Sequence, residues 1–221
     1  MKKICLFFIL FFIPFVVYGE ELNLAENAKS AIMIEASTGE ILYKKNMNER
    51  MAPASMTKIM SLILIMENIE SGRLNWNDII VVSKNASSMG GSQIFLETNE
   101  MMSVEDLVKG ICIASGNDAT VALAEKIAGT ESAFVKLMNN KARDLGLKNT
   151  NFVNSTGLDA ENHYSTAYDM AIMAKELIRH EKILEFSSIY EDYLRKNTDN
   201  SFWLVNTNKV VYKNYYSRKL L

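Results

Sequence analysis

Eight apolar residues between Ile59 and Ile69 constrain this chain more than any other feature. Ile59, Met60, Leu62, Ile63, Leu64, Ile65, Met66 and Ile69 leave almost no polar face. A helix that is apolar nearly all round is stable only when other elements cover it. The chain must therefore fold around this segment. Directly in front of it stands Ser55-Met56-Thr57-Lys58, the single Ser-x-x-Lys of the sequence. Positions i and i+3 share a helix face, so the hydroxyl and the amine can meet. Burial disfavours an ammonium ion and lowers its pKa, so a lysine at the mouth of such a helix can supply a neutral amine as base. The same spacing also fits a plain structural reading, in which Ser55 is a helix N-cap and Lys58 follows by chance.

A second grouping is Ser115-Gly116-Asn117. It follows a helical stretch, Val104 to Ala114, with Ser103 as N-cap and Asp106 at the third helical position. A further helix is expected from Asp118 to Ala128, with Gly129 at its C-cap. The three residues then occupy a tight connection between two helices. Such a connection can aim a hydroxyl and an amide into a cleft, although Ser-Gly-Asn is also ordinary turn chemistry.

Taken together, Ser55-Met56-Thr57-Lys58 and Ser115-Gly116-Asn117 resemble the first two motifs of the penicillin-binding proteins and serine β-lactamases. The flanking sequence is similar too: Ala31 to Tyr43, Pro53-Ala54 before Ser55, Gly90-Gly91-Ser92-Gln93-Ile94-Phe95-Leu96, Asn154-Ser155-Thr156-Gly157-Leu158-Asp159 and His163-Tyr164-Ser165-Thr166-Ala167-Tyr168-Asp169-Met170. The set is similar to the low-molecular-weight D-alanyl-D-alanine carboxypeptidases, from about Ala28 to about Lys209. The resemblance implies an α+β fold of the β-lactamase/penicillin-binding-protein type, a helical lobe against an antiparallel sheet. It implies roles for four residues: Ser55 as nucleophile, Lys58 as general base, Ser115 as proton relay and Asn117 as substrate-binding residue. It implies peptidoglycan stem peptides ending in D-Ala-D-Ala as substrate, acylation by β-lactams, and no metal or organic cofactor. The family's third motif, Lys-Thr-Gly, does not occur in the sequence. The expectation is therefore an incomplete catalytic domain over 20–221, with the C-terminal sheet strands missing, activity impaired, and no C-terminal membrane anchor. A non-catalytic remnant that binds cell-wall peptide or a partner is the alternative. A serine β-lactamase is a third reading, but no Glu-x-x-Leu-Asn accompanies the first two motifs.

The N-terminus reads as a targeting segment. Lys2 and Lys3 precede an apolar run from Ile4 to Val17, and Val17-Tyr18-Gly19 offers small residues at a cleavage spacing. Residues 1–19 are expected to be a signal peptide, so the mature protein is exported to the cell-wall side. Cys5 leaves with that segment, and Cys112 remains as a small buried hydrophobe. A formal net charge of −2 gives no nucleic-acid footprint. His163 and His180 are the only histidines and have no partner at metal-ligand spacing. His163 is expected to make a loop contact and His180 to sit at a helix end. Other expected elements are strands at 30–35, 40–45, 79–82, 189–194 and 202–205, and helices at 131–145, 166–179 and 182–186.

Overall fold

The structure, a computed structural model, describes residues 24–196 and 198–212. Ala31–Ile34 (β1) and Ile41–Lys45 (β2) form an antiparallel hairpin, with Met33 opposite Tyr43 and a bulge at Met33/Ile34. In the turn between them, backbone N–H groups of Thr38 and Ser37 donate to Glu35 and hold its carboxyl down at about 2. A short 3-10 turn, Ala54–Thr57, then runs straight into the apolar helix α1, Lys58–Glu70. The helix is as enclosed as its composition demands. Met60, Ile63 and Ile65 are fully buried, and α1 packs on three later helices.

Side-chain N-caps open three of the later helices. Ser103 accepts from the Asp106 N–H at the start of α3, Val104–Ala114. Thr130 accepts from the Ala133 N–H at the start of α5, Glu131–Asp144, and Thr166 from the Asp169 N–H at the start of α6, Ala167–Leu177. Each such cap contributes about 1 kcal/mol. α4, Asn117–Ala128, begins one residue earlier than the sequence implied, because Gly116 rather than Asn117 takes the N-cap position. A four-residue helix α2, Lys84–Ser87, and a three-residue strand Met101–Ser103 were not foreseen; both are too short to show a period. That strand (β4) pairs with β3, Ile79–Val81. A last helix, Glu181–Ser187 (α7), leads into the hairpin of Glu191–Leu194 (β5) and Phe202–Val205 (β6), with Tyr193 opposite Trp203.

Among the described residues the strands form three separate antiparallel pairs. β1 lies against α6, and one continuous core runs from Met60 to Leu204. The expected leader, residues 1–19, lies outside the described residues. No described helix is long and apolar enough to cross a membrane. His180 stands between α6 and α7, as a helix-end residue, but its Nδ1 meets Glu70 at the end of α1 at 2.6 Å rather than a free helix terminus. Cys112 packs on the core from α3, where burial pushes its thiol up to about 12.

Candidate active site

The first question is whether Ser55 is a cap or something else. Neither the 3-10 turn nor α1 has a side-chain cap at its start, so the Ser55 hydroxyl is not used in that way. Ser55 is exposed, whereas Lys58, one turn on, is 4% exposed. Lys58 Nζ lies 3.1 Å from Ser55 Oγ and 2.8 Å from the Thr156 carbonyl oxygen, to which it donates. Among the described residues no carboxylate pairs with it. Burial alone acts on it, and lowers its pKa to about 8. An amine that loses its proton near neutrality, beside an accessible hydroxyl, can deprotonate that hydroxyl and make it a nucleophile.

The turn that carries Ser55 is strained and held from below. Ala54 has φ +48°, unusual for a residue with a side chain. Such a conformation persists only when its surroundings enforce it. The segment Ser155-Thr156-Gly157 does so. The fully buried Ser61 donates to the Ser155 carbonyl at 2.7 Å, and Thr156 takes the Lys58 amine. Gly157, at φ +88°, lies so close beneath the turn that a Cβ there would sit 1.8 Å from the Ala54 oxygen. Asn154 folds this segment by accepting from the Thr156 and Gly157 N–H groups, and Glu131 anchors it by accepting from Ser155. A buried bond of 2.8 Å between His163 Nε2 and Thr57 Oγ1 completes the support.

Ser115 and Asn117 sit where the two helices meet. Ser115 is the C-cap of α3, in the left-handed conformation at φ 58° and ψ 36°, and no hydrogen bond to its hydroxyl is seen among the described residues. Asn117 opens α4 and is almost fully buried. Its Nδ2 donates to the Gly90 carbonyl at 2.7 Å, and its N–H donates to Ser92. Its Oδ1 is buried without a partner. A buried acceptor in that state is expensive unless a donor arrives from elsewhere. Ser55 and Lys58 are thus hydrogen-bonded to each other, whereas Ser115 and Asn117 are hydrogen-bonded to neither.

Two further residues hold the loop beside Asn117, and the sequence did not point to them. Asp118, fully buried behind Asn117, accepts from the Ile94 and Leu96 N–H groups at 3.0–3.1 Å. Arg195, at the end of β5, donates to the Ile94 and Phe95 carbonyls and forks onto Glu100. Burial works to raise the Glu100 carboxyl, but the Arg195 hydrogen bonds and charge bring it below the usual range. Between them, these residues fix the Gly90–Leu96 loop against α4. Open space of about 400 Å³ lies beside the turn, bounded by Ala54, Gly157, Asp159 and His163. A larger apolar groove of about 510 Å³ runs between β1 and α6 and does not include Ser55 or Lys58. No three histidine, cysteine or acidic side chains come together as a metal-binding group among the described residues.

A match to the peptidase family S11, D-alanyl-D-alanine carboxypeptidase, covers residues 19–220. The chain belongs to this family. It is 62% identical over 189 residues to the D-alanyl-D-alanine carboxypeptidase DacF of Bacillus subtilis, a match that takes in 86% of this chain and 49% of that protein. The chain spans about half the length of the curated relatives it matches. Among solved structures, penicillin binding protein 5 from Haemophilus influenzae aligns with a TM-score of 0.79 at 34% identity, over 85% of this chain and 54% of that one. The D-alanyl-D-alanine carboxypeptidase DacD from Francisella tularensis aligns with a TM-score of 0.78 at 38% identity, over 82% of this chain and 44% of that one. The family's α+β fold, related to the β-lactamases, is therefore the fold of this chain.

Proposed function

We propose that this protein is exported and works as a serine-type D-Ala-D-Ala carboxypeptidase on peptidoglycan stem peptides. The observation that carries the reading is the Ser55–Lys58 pair: an exposed hydroxyl 3.1 Å from a buried amine with no acidic partner. In this reading the neutral Lys58 amine takes the Ser55 proton as the oxygen attacks the carbonyl between the two terminal D-alanines. The tetrahedral adduct collapses, the C–N bond breaks, and the amine of the departing D-alanine takes a proton by way of Ser115. The acyl group stays on Ser55 until water hydrolyses the ester, with Lys58 again as base. Asn117 Oδ1, the buried acceptor without a donor, suits a substrate amide N–H. The Ser55 backbone N–H, near the start of α1, suits the oxyanion. A β-lactam ring would open on Ser55 in the same way, leaving a penicilloyl ester. The apolar leader of residues 1–19 supports export.

The direct test is release of D-alanine from a diacetylated Lys-D-Ala-D-Ala peptide. Release by the wild-type chain and none by Ser55→Ala supports the reading. Equal release by both proteins excludes Ser55 as the nucleophile.

A further inference from the structure

Outside the Ser55–Lys58 pair, the buried histidine at 163 has the most constrained chemistry. Its two ring nitrogens are both engaged. Nδ1 is 3.1 Å from the Val153 N–H, and Nε2 is 2.8 Å from Thr57 Oγ1. A backbone N–H can only donate, so Nδ1 must accept and carries no proton. The proton therefore sits on Nε2 and is donated to Thr57. Phe152 packs edge-on against the ring at 5.9 Å, and the residue is 6% exposed. Thr57 lies between Ser55 and Lys58 in the strained 3-10 turn and is itself fully buried.

We infer that His163 is a positioning residue for the Ser55–Lys58 pair: its neutral Nε2–H tautomer pins Thr57, and protonation at Nδ1 breaks the link to Val153 and loosens the turn. The inference rests on the reading of Ser55 and Lys58 as nucleophile and base. A second proton on the ring would point at the Val153 N–H, setting two donors against each other in a site with little access to water. Burial is also what holds the His163 pKa below its ordinary value, with Asp159 working weakly in the other direction. The ionisable groups of the surrounding elements are few. Asp159 and Glu161 lie on its own loop, and Lys58 is next to Thr57 on α1. Glu131 on α5 is committed to Ser155, and Asp169 on α6 to Asn149 and Thr150. Among the described residues no acid is hydrogen-bonded to the ring to stabilise an imidazolium.

Glutamine offers a substitute that cannot titrate. Its oxygen can accept from Val153 while its amide donates to Thr57. The experiment compares wild type, His163→Gln and His163→Ala as full chains. Histidine nitrogen resonances, assigned with His180→Gln, should show an Nε2–H tautomer for His163. The Thr57 amide resonance should shift with the His163 titration and stay still in His163→Gln. Penicillin acylation of wild type should fall with a slope of about one in log rate per pH unit below the Lys58 pKa, then steepen towards about two below that of His163. His163→Gln should keep the slope near one, and His163→Ala should be slower at every pH by at least about tenfold. An Nδ1–H tautomer, a Thr57 amide indifferent to the titration, or the same steepening in His163→Gln overturns the inference. Absence of acylation at any pH, with Thr57 still following His163, would instead sink the reading of Ser55 and leave the pinning of Thr57 standing.

Discussion

Gly157 lies directly beneath the Ala54 carbonyl, so close that a single added carbon would stand 1.8 Å from the oxygen. The consequence is mechanical. Ala54 is the first residue of the turn that presents Ser55, and its own φ of +48° depends on outside support. Gly157→Ala should displace the turn and strain residue 157, whose φ is +88°. We expect a loss of roughly 2–4 kcal/mol in stability, and acylation at Ser55 lowered at least about 100-fold. Thermal melts and penicillin labelling of the same sample measure both. A variant that labels at the wild-type rate would show that the close approach does not position Ser55.

Lys58 places function and stability in opposition. A lysine lowered to about 8 by burial carries, at pH 7, a desolvation cost of roughly 3 kcal/mol in the folded state. Lys58→Met removes that charge at similar length and leaves the Thr156 carbonyl without its donor, which costs about 1 kcal/mol. The variant should lose acylation entirely and yet melt a few degrees higher. Acylation surviving in Lys58→Met would exclude this amine as the base.

The same shift sets a pH dependence. Acylation should rise with pH as Lys58 loses its proton and level off above about 8. For stability, the folded chain binds fewer protons at Lys58 than the unfolded chain between pH 8 and 10.5. The Lys58 contribution to stability therefore increases with pH across that window and is constant below it. Denaturant titrations of wild type and Lys58→Met at pH 7.5 and 10 isolate the contribution. A difference between the two proteins that does not change with pH would contradict a depressed Lys58.

Asp118 ties the Gly90–Leu96 loop to α4. Asp118→Asn keeps the shape but weakens the charge-assisted bonds from Ile94 and Leu96, and turns an amide donor towards backbone donors. The expected loss is roughly 1.5–3 kcal/mol. Because the same loop carries the Gly90 carbonyl that holds Asn117, acylation should slow as well. Hydrogen exchange at Ile94 and Leu96 locates the effect; protection equal to wild type would show that the carboxylate does not hold the loop.

Much of this arrangement is visible in the sequence, and the reason is local. The Ser55–Lys58 contact spans one turn, so spacing alone brings the two together. The cap at Ser103 acts within three residues of itself and marks the start of its helix. What stayed hidden is long-range. Thr156 meets Lys58 across 98 positions, and His163 meets Thr57 across 106. Neither leaves a periodic trace. Gly157 stood in the sequence only as part of the family-like Asn154–Asp159 segment; the approach of Ala54 explains why no side chain fits there. Asp118 read as the start of a helix, and nothing in its neighbours announced that it collects two backbone groups from a loop 22 to 24 residues earlier.

The proposed function requires acylation at Ser55 with Lys58 as the activating base. The most direct measurement is to incubate the protein with a fluorescent penicillin, digest it, and locate the adduct by mass spectrometry. The expected result is one stoichiometric penicilloyl ester on Ser55, absent from Ser55→Ala and from Lys58→Met. An adduct on Ser115 or on any other residue, or labelling that persists in Ser55→Ala, would contradict it.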